Sequence, residues 1–394
     1  GGLETMLFTL LAVQGLLLTR APSASLRAPG VAGLDCLAFR YFGELSGLVP
    51  LVGVNSGYCF AGNAALLGCC DVIIATENAT IGMAGPAMIE GGGLGRFTPE
   101  EVGPVSVQAA NGVVDVRVRD EAEAVAVAKQ YLSYFQGALK DWTAPDQRLL
   151  RRAIPENRLR VYEVRDVIHG LADEGSVTFL RPRFAREMVT ALARIEGRAV
   201  GIIANDTRFT AGAITAAASD KAARLLQLCD AFGLPVVSLI DCPGYMVGPA
   251  AEAESLVRRA SRMLVAGAAL RVPMVAVILR RGYGLGAQAM AGGSLHEPVL
   301  TLAWPGAHLG PMGLEGAVRL GMRKELEAIS DVAEREQRVA AATAAAQDNA
   351  KALNAAMLFE IDDVIDPAET RGVIAATLAA GHIGEQRARF VDTW

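Results

Sequence analysis

The stretch Arg280-Arg281-Gly282-Tyr283-Gly284-Leu285-Gly286-Ala287-Gln288-Ala289-Met290 follows the apolar run Val272-Pro273-Met274-Val275-Ala276-Val277. It reads as a Gly-rich turn between a strand and a short small-residue helix. A near copy lies in the first half, where Val49-Pro50-Leu51-Val52-Gly53-Val54 leads to Gly57-Tyr58-Cys59-Phe60-Ala61-Gly62-Asn63-Ala64. Each copy continues into an apolar strand and a Gly-Pro pair, Gly85-Pro86 in one and Gly310-Pro311 in the other. The recurrence predicts a duplicated fold unit.

Small residues at such a turn leave main-chain N–H groups uncovered, and at a helix start those donors have no intrahelical partner. Aimed at an oxygen that gains charge, they form an oxyanion hole, in which one donor is worth roughly 10²- to 10³-fold in rate. The alternative is structural: small residues let helix and strand approach closely. The two copies therefore predict up to two anion cradles.

At 394 residues, with 52% hydrophobic and 20% charged residues, the chain is long enough for two domains with substantial cores. A net charge of -5 without a basic block gives no argument for nucleic acid. The six cysteines, Cys36, Cys59, Cys69, Cys70, Cys229 and Cys242, lack C-x-x-C spacing. They read as small buried hydrophobes in a reducing compartment, the cytoplasm or, in a eukaryote, the mitochondrial matrix. The four histidines are scattered without ligand spacing, so no metal site is expected. The apolar run Met6 to Leu18 is too short to span a bilayer and lacks a basic residue ahead of it, so it reads as a buried helix or a foreign junction, and no membrane association is expected.

Along the chain, helices are expected over Leu34 to Leu48, Ala61 to Cys69 and Ala122 to Phe135, with a loop from Gly82 to Gly95. Thr98-Pro99-Glu100-Glu101 is a helix start. The Pro-punctuated Trp142 to Asn157 suggests a boundary, dividing the chain into 1–155 and 156–394. Further on, helices are expected over Val164 to Glu174, Ser219 to Phe232 (stopped by Gly233) and Ser255 to Leu270. Strands are expected at Ala199 to Ala204 and Pro235 to Ile240, and one long helix or a pair over Met322 to Phe359. This alternation predicts an α/β class with mostly parallel pairing.

Gly282-x-Gly284-x-x-Ala287 formally matches a dinucleotide fingerprint, but the next strand ends in Ala303-Trp304 without the supporting acid. No G-x-S-x-G occurs. What remains is two backbone cradles and no evident catalytic side chain, an inventory suited to chemistry passing through an enolate.

Several ordered motifs resemble one family. Ser219-Asp220-Lys221-Ala222-Ala223-Arg224, Cys229-Asp230-Ala231-Phe232-Gly233-Leu234-Pro235, Asp241-Cys242-Pro243-Gly244-Tyr245, Trp304-Pro305, Met312-Gly313-Leu314-Glu315-Gly316-Ala317-Val318 and Asp366-Pro367-Ala368-Glu369-Thr370-Arg371 are similar to the carboxyltransferase (β) subunit of biotin-dependent acyl-CoA carboxylases, of the propionyl-CoA or acetyl-CoA type. The resemblance implies two crotonase-like ββα-spiral domains in tandem, the first mainly for the CoA ester and the second mainly for biotin. It implies carboxyl transfer from carboxybiotin, held on a separate carrier protein, to the α-carbon of a short acyl-CoA. It places one hole at Ala61 and Gly62 and the other at Leu285 and Gly286. Gly57, Phe60, Gly85, Pro86, Tyr245, Tyr283, Gly284 and Gln288 would line the substrates. Implied partners are biotin carboxylase and biotin carboxyl carrier subunits, in a hexamer built as a trimer of dimers, with active sites where the first domain of one protomer faces the second of another. The same holes would serve a decarboxylase, and a non-catalytic assembly subunit would keep the same motifs. Leu285, where the family has a small residue, Gln288, where an acid is common, and the unrecognisable 1–33 are departures.

Overall fold

The computed structural model describes residues 37–394 except 159, 382–383 and 385–389. The expected elements at Met6 to Leu18 and at Leu34 to Cys36 lie outside the described residues. The chain divides into two compact units: one holds 37–136, Thr178–Phe184 and 390–394, the other Gly137–Val177 and 185–384. The division at Gln136 and Gly137 precedes the Pro-punctuated stretch, because Trp142 to Asn157 packs with the second unit: Arg151 pairs with Asp366 at 2.7 Å and Trp142 stacks under the Arg371 guanidinium.

In the first unit, α1 (Ala38–Gly43) precedes β1 (Val52–Asn55), β2 (Tyr58–Phe60), α2 (Gly62–Gly68), β3 (Val72–Thr76) and β4 (Thr80–Gly82). Then come α3 (Pro86–Gly91), α4 (Pro99–Val102), α5 (Val105–Ala110), β5 (Val116–Val118) and α6 (Glu121–Ser133), with β6 (Thr178–Leu180) later in the chain. A parallel sheet runs β1-β3-β5, and β2 pairs with β4 alone. Parallel neighbours need a crossover, which α2 supplies between β1 and β3. The core joins Phe42, Leu51, Leu67, Ile73, Ile81 and Val105. Gly53 is required there, since a Cβ would lie 2.4 Å from Leu67 Cδ1. The Thr98 helix start is present, with Glu101 accepting from the Thr98 N–H at 2.7 Å. The loop expected over Gly82 to Gly95 instead contains α3, which Pro86 starts at its first position.

The second unit has α7 (Val164–Leu171), β7 (Met188–Ile195), β8 (Arg198–Asn205), α8 (Ala216–Phe232), β9 (Val236–Cys242), α9 (Pro249–Ala253), α10 (Leu256–Ala268), β10 (Met274–Tyr283) and α11 (Gly284–Met290). It continues with β11 (Leu300–Ala303), β12 (His308–Gly310), α12 (Leu314–Gly321), α13 (Arg323–Ala328), α14 (Val332–Asn349), α15 (Ala352–Met357), β13 (Asp363–Val364) and α16 (Thr370–Ala380). Its sheet runs β13-β11-β10-β9-β8-β7, with β12 on the end of β10. All pairs are parallel except β7 with β8. β7 is buried at every position and carries no alternation, so periodicity did not mark it. The expected long helix over Met322 to Phe359 is three, because Asp331 caps a new start by accepting from Ala333 and Glu334 N–H groups, and Lys351 begins another.

Most family-like motifs turn out to hold this unit together. Asp220 on α8, almost fully buried, accepts from Arg259 Nε at 2.5 Å and Arg262 Nη1 at 2.8 Å, clamping α8 to α10. Asp230 binds Arg271 at 2.7 Å. Trp304 Nε1 donates to Thr370 Oγ1 at 2.9 Å, and Arg371 pairs with buried Asp173 at 2.5 Å. Gly233 closes α8 in the left-handed region at φ 69°, as the stop signal predicts.

Candidate functional site

The Gly-rich stretch of each unit forms a strand-to-helix junction, and the backbone sets their equivalence. β2 ends with Phe60 opposite Gly82, and β10 ends with Tyr283 opposite Gly310. The next residue has positive φ in both: 56° at Ala61 and 57° at Gly284. Gly62 therefore matches Leu285, and Asn63 matches Gly286, the same 223-residue spacing that separates Val49-Pro50 from Val272-Pro273. Two sequence pairings change with this. Gly57-Tyr58 is not the counterpart of Gly282-Tyr283, since β10 runs unbroken through that segment whereas β1 and β2 are separate. Gly85, at the N-terminus of α3, corresponds to Gly313 at the N-terminus of α12, not to Gly310.

In the first junction Gly57, Phe60, Ala61, Gly62, Gly85 and Pro86 come together. Gly57 turns the chain at φ 78° between β1 and β2. Gly85 lies against the Phe60 ring, where an added Cβ would sit 3.3 Å from Cδ2. The expected Ala61 donor is corrected by the geometry: its N–H already donates to the Gly82 carbonyl at 3.2 Å. The uncommitted amides begin one residue later, at Gly62 and Asn63 in the first turn of α2. Gly62 is hemmed by Phe39, whose Cζ would lie 3.1 Å from a Cβ there. Ala61 has no glycine to relax its backbone (φ 56°, ψ -128°), a conformation that costs about 1 to 3 kcal/mol and clusters at functional positions.

In the second junction Tyr245, Tyr283, Gly284, Leu285, Gly286 and Gln288 share one region but not one cavity. Gly284 and Gln288 line a cavity of about 360 Å³ together with Leu309, Pro311 and Asn354. Tyr283 lines another, of about 340 Å³, with Arg158, Arg281 and His308. Leu285 and Gly286 line neither; Leu285 is 65% exposed, whereas Gly286 beside it is buried. Gly286 is tightly packed, because a Cβ would lie 2.8 Å from Gly244 Cα and 2.7 Å from Cys242 Sγ. The close-approach reading of a small residue therefore holds at Gly286, whereas Leu285 is free of such a constraint.

Neighbouring side chains are held neutral. Burial pushes the Cys242 thiol up to about 12 and raises the Tyr245 and Tyr283 phenols. None of the three is a nucleophile or base near neutral pH. Upstream, buried Asp241 accepts from Tyr162 Oη at 2.9 Å, Arg280 Nε at 2.9 Å and Arg281 Nε at 2.6 Å, an assembly that sequence reading did not isolate. Its only sequence signal is the Arg280-Arg281 pair at the end of an apolar strand. Two arginines against one carboxylate leave positive charge ahead of α11. Among the described residues no cluster of three or more His, Cys, Asp or Glu could hold a metal, and no helix is long and apolar enough to cross a membrane.

These junctions, repeated on an α/β frame, define a class of protein in which a strand runs into a short small-residue helix once in each unit's Gly-rich turn. The chain belongs to the carboxyl transferase domain family, whose model matches residues 36–390. It is 34% identical over 349 residues to the methylmalonyl-CoA carboxyltransferase 12S subunit of Propionibacterium freudenreichii subsp. shermanii, covering 85% of this chain and 65% of that one. A transcarboxylase 12S hexamer solved with methylmalonyl-coenzyme A and methylmalonic acid superposes with a TM-score of 0.78 at 31% identity, over 90% of this chain and 70% of that one. A single-chain, multi-domain long-chain acyl-CoA carboxylase matches with a TM-score of 0.84 and 56% identity, over 90% of this chain and 35% of that one. The chain thus spans about two thirds of the 12S subunit and about a third of the multi-domain carboxylase. The expected crotonase-like α/β fold is that of these carboxyltransferases.

Proposed function

We propose that this chain transfers a carboxyl group between carboxybiotin and the α-carbon of an acyl-CoA thioester. The repeated strand-to-helix junction, with matched positive φ at Ala61 and Gly284, carries the reading. In it, Gly62 and Asn63 amides hold the thioester oxygen as it takes on enolate charge, and Phe60, Gly57, Gly85 and Pro86 shape the surrounding wall. Leu285 and Gly286 amides hold the oxygen of the second partner, with Tyr245, Tyr283, Gly284 and Gln288 around it. Carboxybiotin, when bound, would supply the transferable carboxyl group and, on losing it, a ureido nitrogen to receive the α-carbon proton. The exposed Leu285 suits a ureido oxygen delivered to this junction on a carrier. Both helices are a single short stretch of seven residues, so the local N–H groups act and not a long helix dipole. With Cys242, Tyr245 and Tyr283 protonated, no covalent intermediate on the chain is required.

Biotin carboxylase and biotin carrier functions come from outside these 394 residues, and the working form is a homo-oligomer like the 12S hexamer. The acyl group is short in the reading from motifs. A long-chain substrate is the second reading, favoured by the 56% identity to the long-chain acyl-CoA carboxylase. The test is carboxylation of free biotin by malonyl-CoA, methylmalonyl-CoA or an α-carboxylated long-chain acyl-CoA. Turnover with one of these supports carboxyl transfer and identifies its acyl class. A folded, oligomeric protein without turnover on any of them contradicts the proposal.

A further inference from the structure

The second cavity of the Gly137–Val177 and 185–384 unit lies beside β12 and the end of β10, and of its lining only Tyr283 has a place in carboxyl transfer as proposed. Arg158, Arg281, Tyr283, His308, Thr343 and Gln347 surround about 340 Å³, far more than one water needs. His308 is 98% buried, yet its Nε2 has no hydrogen-bond partner, and neither has Thr343 Oγ1. Two unpartnered buried polar atoms in one cavity mark a place where a polar ligand is missing from the balance of hydrogen bonds. The charges agree on the sign of that ligand. Arg158 has no carboxylate partner among the described residues. Arg280 and Arg281, both on the lining, share only Asp241. The one acid on the wall, Glu315, is occupied by Arg319 at 2.9 Å.

We propose that this cavity is a binding site for a small oxyanion, held by the Arg158 guanidinium, Thr343 Oγ1 and His308 Nε2. The Nδ1 atom of His308 lies 3.1 Å from the Gly306 carbonyl, which only accepts, so Nδ1 carries a proton. Nε2 is then a lone pair in the neutral ring and a donor only in the imidazolium. Burial first and Arg158 second depress the His308 pKa; Lys351 adds to this and Asp348 opposes it, while Arg280, Arg281, Tyr283 and Glu315 complete the facing groups. A bound oxyanion offsets Arg158 and pairs with the imidazolium, so binding takes up a proton and strengthens as pH falls. Carboxylate, hydrogencarbonate, sulfate and phosphate share the required chemistry. The inference stands independently of the carboxyl-transfer reading.

Calorimetric titration of the whole protein with sulfate, whose charge is constant near neutrality, tests it. Saturable binding is expected, tighter at about pH 6 than at about pH 8, with proton uptake seen by changing the buffer's ionisation heat. Arg158→Gln and His308→Gln are each expected to weaken binding at least about tenfold, the loss of one charge-assisted hydrogen bond. Thermal unfolding of each variant is followed alongside, and either folded variant suffices. Absence of saturable binding at tens of millimolar sulfate, affinity unchanged in a folded variant, or binding without proton uptake would overturn the site. Acetate in place of sulfate distinguishes a carboxylate ligand from an inorganic one.

Discussion

At Leu285 the side chain is exposed and the amide occupies the second position of α11, whereas at Gly286 the same donor role is entangled with packing against Gly244. Proline is tolerated in the first turn of a helix and lacks the N–H, so Leu285→Pro removes a donor with little strain. Turnover is expected to fall at least about tenfold with unfolding temperature nearly unchanged, measured by biotin carboxylation and calorimetry. Ala61 presents the opposite case, a residue whose backbone favours glycine. Ala61→Gly is expected to stabilise the protein by about 1 kcal/mol in urea unfolding, strain relief outweighing the entropy of glycine. Cys242 makes stability depend on pH. Its thiol titrates near 9 when unfolded and near 12 when buried, so its contribution is complete below pH 9 and lost as pH rises toward 12. Urea midpoints measured over that range should fall less steeply in Cys242→Ala than in the parent. The glycine pattern exposed these positions in the sequence, but it could not separate a free amide from a committed one: Ala61 differs from Gly62 only in where the Gly82 carbonyl lies.

At the scale of elements, the duplicated motif was legible because strand, small-residue turn and helix recur in order. Its register was not, because Gly57-Tyr58 and Gly282-Tyr283 match by residue type while the backbone aligns Ala61 with Gly284. The helix stop at Gly233 and the start at Thr98 were readable from local chemistry. β7 was not, since a strand buried on both faces has no alternation, and neither was α3, hidden in a Gly-rich stretch. The α8 motif carries packing information. Asp220 holds Arg259 and Arg262 from α10, so Asp220→Ala leaves two partly buried guanidinium groups without it. Urea unfolding is expected to show a loss of about 3 kcal/mol, reduced in Asp220→Asn; a loss below about 1 kcal/mol would mean that apolar contacts alone join the helices.

Across the whole chain, two units repeat one junction, and both copies lie within the family match over residues 36–390. Composition and spacing disclosed the α/β class and the paired strand-to-helix junctions. They did not disclose the buried Asp241 assembly or the His308 cavity, whose members are brought together from separate parts of the chain. The most direct measurement is a crystal structure with a non-hydrolysable acyl-CoA thioester analogue. Its carbonyl oxygen is expected at about 3 Å from the Gly62 and Asn63 amide nitrogens. A well-defined thioester elsewhere, with those amides facing only water, would contradict it.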